Sequence, residues 1–224
     1  MTITKVTDRH IMFTVPENAE DGYVSMGLIL GKKHNFIIDT GTGESNVRAM
    51  LEYIGDDSKP IVAIITHAHW DHFFGNSALK DETIVSHLLC REIMDKEWDT
   101  KTKERMIKNR EFIDTEIHKC LPNLVFEGSL HFPEDGISLF HTPGHTDDGI
   151  SVYDTVDKVL YAGDNFGVYD GIACWWTNHV KDAQRLLDIY KQYDFDICIS
   201  SHSEPQTGEV IALLETALAK ELCK

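Results

Sequence analysis

Thr66-His67-Ala68-His69-Trp70-Asp71-His72 follows directly on the segment Ile61-Val62-Ala63-Ile64-Ile65. The apolar run is rich in β-branched residues and has no polar alternation, which is the pattern of a strand covered on both faces. It delivers four potential metal ligands, His67, His69, Asp71 and His72, to the strand's end. Side chains two apart in extended backbone point the same way, so His67 and His69 can reach one ion. Asp71 and His72, entering the next turn, can face a second ion close by. Neutral imidazole and carboxylate suit zinc, and also iron or manganese.

The arrangement of strand followed by ligand recurs three times downstream. His145 follows Phe140-His141-Thr142-Pro143-Gly144, Asp164 follows Tyr161-Ala162-Gly163, and His202 follows Ile199-Ser200-Ser201. Upstream, Val24 to Leu30 and Asn35 to Ile38 read as a hairpin that runs into the turn Asp39-Thr40-Gly41-Thr42-Gly43, with helical spacing from Ser45 to Ile54. Thr83 to Ser86 reads as a strand, and the charged stretch His87 to Lys119 as two helices broken near Asp99-Thr100. Strand patterns then cover Leu124 to Phe126, Ile137 to His141, Ile150 to Tyr153, Val159 to Ala162 and Ile197 to Ser200. Helices are expected from Asp182 to Tyr193 and from Glu209 to Leu222. Two β-rich halves, each with helices, predict an α/β chain layered α/β/β/α. A single domain over 1–224 is expected, with a helical insert at about 81–121 acting as lid or pocket wall.

With 37 Asp and Glu against 21 Lys and Arg, the net charge of -16 opposes a grip on phosphate backbones or anionic lipid. No apolar run approaches the ~20 residues of a membrane span. A small-molecule substrate is expected, with neither nucleic acid nor membrane as partner. Met1 to Arg9 lacks a continuous apolar segment, so a cytoplasmic protein is expected. Five scattered cysteines without a C-x-x-C pair read as buried small hydrophobes. Trp70, Phe73, Phe166, Tyr169, Trp175 and Trp176 lie near the ligands in sequence and would give an apolar pocket mouth.

Asp39, His67-x-His69-x-Asp71-His72, His145, Asp164 and His202 together resemble the motif set of the metallo-β-lactamase-fold superfamily, over about Gly22 to Leu222. The resemblance implies a four-layer αββα sandwich with two divalent ions, zinc first and iron or manganese as alternatives. By resemblance His67, His69 and His145 hold the first ion, Asp71, His72 and His202 the second, and Asp164 bridges both. Asp39 would orient ligands without binding metal. Such a pair of ions shares a hydroxide that attacks a carbonyl, so no Ser or Cys nucleophile is needed. Asp71 would handle the proton, and Tyr169 would donate to the substrate carbonyl, as a Tyr after the bridging Asp does in lactonases of this fold.

Departures from the pattern narrow the substrate. True β-lactamases of the superfamily usually carry Cys or Ser where Asp164 stands. The glyoxalase II type needs a helical domain after the last motif, yet 22 residues follow His202. Ribonuclease relatives add nucleic-acid-binding inserts, and flavodiiron proteins replace a ligand with Glu. The expectation is a metal-dependent hydrolase of a small ester, thioester or lactone. The alternatives are a mononuclear iron persulfide dioxygenase, which keeps the same motifs, and a metal-binding sensor on the same fold.

Overall fold

The computed structural model describes residues 1–17, 22–113 and 115–222. They form two compact units, Met1–Glu127 and Gly128–Lys224.

The first unit is built on a seven-stranded sheet in chain order, β1 (Thr2–Lys5), β2 (His10–Pro16), β3 (Tyr23–Leu30), β4 (Asn35–Ile38), β5 (Ile61–Ile65), β6 (Thr83–His87) and β7 (Leu124–Phe126). β1 to β4 pair antiparallel, whereas β4 to β7 pair parallel. Every residue of β5 is buried, as its unbroken apolar pattern requires, and each of its Ile and Val side chains stabilises the fold by about 1.5–3 kcal/mol relative to exposure. Because β4 and β5 run in parallel with Ile38 opposite Ile64, Asp39 and Thr66 emerge side by side. The carboxyl ends of parallel strands are where open α/β sheets carry their ligands.

Helix α1 (Glu44–Ile54) follows the Asp39 turn and buries Val47 and Met50 against this sheet's core. The short α2 (Trp70–Phe73) carries Asp71 and His72. Gly75 is forced by close approach: a Cβ there would stand 2.3 Å from the Thr40 carbonyl oxygen and 2.9 Å from that of Gly43, both backbone atoms that cannot swing aside. Gly75→Ala should therefore cost about 1–3 kcal/mol, the usual scale of overpacking, and lower the melting temperature in a calorimetric scan. An unchanged melting temperature would mean that the two turns are not locked together.

The predicted break near Asp99-Thr100 is a π-helical turn, Trp98–Thr102, joining α3 (Leu88–Glu97) to α4 (Lys103–Lys108). Helix stops at Lys108 apart from a 3₁₀ turn at Arg110–Phe112, so the stretch up to Lys119 is less helical than its charge pattern predicted. Cys90, Met94, Trp98 and Ile113 are buried in the same core as β5.

The second unit has a six-stranded sheet in the order β15-β14-β11-β10-β9-β8 and a separate hairpin, β12-β13. The strands are β8 (Ser129–Phe132), β9 (Ile137–His141), β10 (Ile150–Asp154), β11 (Val159–Tyr161), β12 (Phe166–Tyr169), β13 (Ile172–Trp175), β14 (Ile197–Ile199) and β15 (Gln206–Thr207). β9 and β11 flank β10, both antiparallel to it, and β11 pairs parallel with β14. Hence β9, β11 and β14 run in one direction and end at one edge. Helices α5 (Val180–Tyr190) and α6 (Val210–Leu222) pack Leu186, Tyr190, Leu214 and Leu218 into a core with Leu160, Phe166 and Trp175.

Strands β1, β2, β8, β12, β13 and β15 were not anticipated. β1 is exposed on all four residues, so it carries no apolar alternation to read. β12 and β13 turn at Asp170-Gly171, where φ is 50° and 74°. Asp-Gly with both residues in the left-handed region is the favoured two-residue hairpin, and that signal was present in the sequence. Of the cysteines, Cys90 and Cys198 are buried and Cys120 half-buried, but Cys174 is exposed because it shares the outer face of β13 with Ile172. Cys223 lies outside the described residues. Among the described residues no helix is long and apolar enough to cross a membrane.

Candidate metal centre

In the first unit two of the candidate ligands, His67 and His72, are held through one buried carboxylate. Asp39 sits at φ 60°, a left-handed conformation that Asp tolerates better than most residues, and is 1% exposed. Its Oδ1 accepts the Thr66 backbone N–H at 2.7 Å, and its Oδ2 accepts the Thr66 hydroxyl at 2.8 Å and His72 Nδ1 at 2.8 Å. A carboxylate only accepts, so the proton of His72 is on Nδ1 and its Nε2 carries the lone pair. Thr66 spends its hydroxyl proton on Asp39, so it accepts from His67 Nδ1 at 3.1 Å. His67 Nε2 therefore also carries a lone pair, and it faces His69 Nδ1 at 3.0 Å. Asp71 Oδ2 lies 3.2 Å from His72 Nε2. His67, Asp71 and His72 are buried, while His69 is exposed.

In the second unit Tyr161 and Ile199 are register partners, and Asp164 and His202 each stand three residues beyond. Gly163, at φ 58°, makes the turn that aims Asp164. Asp164 Oδ2 lies 3.1 Å from His202 Nε2 and 3.8 Å from His145 Nε2. His145 Nδ1 faces the Trp176 carbonyl oxygen at 2.9 Å, which fixes its proton there and presents Nε2 toward Asp164. Asn165 pins the loop: its Oδ1 accepts the His145 backbone N–H at 3.1 Å, while its Nδ2 donates to the Thr142 carbonyl at 3.2 Å and the Tyr190 hydroxyl at 2.9 Å. Burial pushes the Tyr190 hydroxyl far above the ordinary phenol range, so it stays protonated within this network.

The donor set is imidazole nitrogen and carboxylate oxygen only, with the second ring nitrogen of His67, His72 and His145 occupied by an acceptor. That is how metal-ligating histidines are held, so the residues fit a divalent ion. Each unit gathers its own predicted ligands, His67, His69, Asp71 and His72 in the first and His145, Asp164 and His202 in the second.

The metallo-beta-lactamase superfamily model matches residues 19–202, most of the chain. The chain belongs to this superfamily. It is 24% identical over 190 residues to the acyl-coenzyme A thioesterase MBLAC2 of Gallus gallus, covering 72% of this chain and 66% of that protein. The Homo sapiens protein of the same name is 23% identical over 193 residues with the same coverage, 72% and 66%. The chain thus spans just under two thirds of the length of the curated relatives it matches. Among solved structures, DIM-1 metallo-beta-lactamase exposed to ceftazidime superposes with a TM-score of 0.75 at 18% identity, over 98% of this chain and 97% of that one. The metallo-beta-lactamase from Pontibacter korlensis gives 0.73 at 20% identity, over 97% and 98%. The superfamily chain therefore has the α/β metallo-β-lactamase fold that its sequence motifs predicted.

Thr66 and Asn165, neighbours of His67 and Asp164, were missed as supporting residues; their adjacency to ligands was the available signal. The aromatic pocket mouth is corrected. Trp70, Phe73, Phe166 and Trp175 are each at most 8% exposed and belong to the hydrophobic cores. Tyr169 is 45% exposed, its ring stacks on Trp176 at 6.1 Å, and its hydroxyl donates to the His202 carbonyl at 3.2 Å.

Proposed function

We propose that this chain is a metal-dependent hydrolase of thioesters, with acyl-coenzyme A thioesters as the substrate class. The observation that carries the reading is the tautomer-fixed set of imidazoles at strand ends, in a superfamily member whose curated relatives are named acyl-coenzyme A thioesterases. In this reading His67, His69 and His145 hold one zinc ion, Asp71, His72 and His202 a second, and Asp164 serves both. When bound, the ions supply Lewis acidity for the carbonyl and lower the pKa of water toward about 7.

The chain's own residues do the rest. Asp39 and Thr66 keep the Thr66 hydroxyl proton and the Nδ1 protons of His67 and His72 on the side away from Nε2, the atom each imidazole offers to an ion. Asp71 receives the proton released as the thioester carbonyl is attacked and returns it to the departing thiolate. The Tyr169 hydroxyl, 3.2 Å from the His202 carbonyl, is the donor that can turn to the substrate's carbonyl oxygen. A small organic substrate is consistent with the chain's net charge of -16, which disfavours nucleic acid.

Elemental analysis of protein purified without chelator, followed by a hydrolysis screen over thioesters, lactones, phosphodiesters and a cephalosporin, tests the reading. Two zinc ions per chain and turnover of thioesters are expected. One iron per chain with oxygen uptake on a persulfide would replace it with the dioxygenase reading, and cephalosporin cleavage without thioester turnover would overturn the substrate class.

A further inference from the structure

An acidic chain that hydrolyses a coenzyme A thioester meets an electrostatic difficulty, because the nucleotide end of that substrate is itself polyanionic. Its field repels the ligand unless positive charge is gathered locally. Two concavities, each within a single unit, carry cations in their walls. The one in the second unit, about 420 Å³, sets Lys181 and Arg185 against Asp147 and Asp182, so its charges cancel. The one in the first unit, about 530 Å³, sets Arg48, Lys80 and Lys119 against a single carboxylate, Glu44. Its size lies in the ordinary range for small-ligand sites.

Glu44 does not restore the balance. Its carboxylate accepts from Ser77 at 2.8 Å and pairs with Arg48 at 2.7 Å. Lys119 reaches Asp95 at 2.6 Å, outside the lining, while Lys80 and His118 stand exposed at the rim. Between the cations the wall is apolar, made by Leu51, Ala78 and Cys120. Burial pushes the Cys120 thiol up, so that part of the wall stays uncharged. An apolar wall flanked by cations is the combination that a purine ring bearing phosphates requires.

The cavity is also tied to the candidate metal centre. Asn76 Nδ2 donates to the Cys120 carbonyl at 3.1 Å, the Thr40 hydroxyl donates to Asn76 Oδ1 at 2.8 Å, and the Thr40 backbone N–H donates to the His72 carbonyl at 2.8 Å. Three hydrogen bonds thus separate the cavity wall from a candidate ligand. A nucleotide held here remains joined to its thioester by the long pantetheine arm.

We infer that the cavity between α1, the turn after α2 and the stretch His118 to Cys120 binds the phosphorylated nucleotide of the coenzyme A substrate, with Lys80 on its phosphates. The inference rests on the thioesterase reading and adds what selects the substrate. It also gives the tail of the predicted insert a role that the metal ligands do not need.

The test uses desulfo-coenzyme A, which lacks the thiol and so cannot bind through sulfur to metal, and one acyl group presented either on coenzyme A or on N-acetylcysteamine. Lys80→Glu should weaken desulfo-coenzyme A binding by calorimetry about tenfold, as expected for loss of one charge-assisted contact. The ratio of kcat/KM for acyl-coenzyme A to that for the truncated thioester should fall by a similar factor. Lys220→Glu, the same charge change on α6, should leave both readouts unchanged. An unaltered ratio in Lys80→Glu, or an equal loss in Lys220→Glu, overturns the inference while thioester turnover keeps the thioesterase reading alive. Binding that Lys80→Glu weakens, in a protein that cleaves no thioester, sinks the thioesterase reading and leaves the nucleotide site standing.

Discussion

Asp164→Asn should lower the hydrolytic rate by about 10²-fold or more, the scale on which a misplaced catalytic group is felt, and should reduce bound metal toward one ion per chain. Asp164 Oδ2 stands 3.1 Å from His202 Nε2 and 3.8 Å from His145 Nε2, so one carboxylate oxygen is shared by the two candidate ligand imidazoles of the second unit. The amide has the same shape but removes one negative charge and replaces an acceptor oxygen with a donor. That donor either faces an imidazole lone pair or displaces a cation. Elemental analysis and kcat on one preparation read both effects. His202→Ala should weaken the same ion while the other stays bound. Two ions and near-normal turnover in Asp164→Asn would remove the bridging role and much of the case for a binuclear hydrolase.

Asp39→Asn should destabilise the first unit by about 2–4 kcal/mol, because Asp39 accepts three hydrogen bonds at a site from which water is excluded. Both Asp and Asn tolerate its left-handed backbone, so the substitution isolates the carboxylate. One oxygen becomes an amino group that must face the Thr66 N–H or the Thr66 hydroxyl and His72 Nδ1, leaving donors against donors. The expected fall in melting temperature is roughly 5–15 °C, taking about 2–4 °C per kcal/mol for a chain of this size. Metal affinity should drop by about 10–100-fold, since the fixed protons of His67 and His72 are lost together. A melting temperature within a degree of the unsubstituted protein would show that Asp39 is spectator, not organiser.

The candidate ligands were legible in the sequence because each sits within a few residues of the strand that carries it. His67 and His69 follow β5, Asp164 follows β11 and His202 follows β14 at offsets that the turn chemistry sets locally. The buried β5 was equally legible, since its five apolar residues admit no exposed face. The Asp170-Gly171 hairpin was readable too and was overlooked. The helices of the insert were less so: helix propensity reports charge and spacing, whereas the π turn at Trp98–Thr102 accompanies burial of Trp98 in a core that the local pattern does not describe.

Local spacing and the resemblance of the motifs, then, were enough to name the candidate metal ligands of this superfamily chain, their order, and the fold. They could not say how those side chains are held. Asp39 and His72 are 33 positions apart, and Asn165 and Tyr190 are 25 apart, yet each pair shares a hydrogen bond that fixes a candidate ligand or its loop. Those meetings depend on strand register and helix docking, which bring together segments with no common period. The same holds for the cavity, where Arg48, Lys80 and Lys119 come from three separate segments. Periodicity records which face of one element is buried, and only the packed chain determines which faces meet.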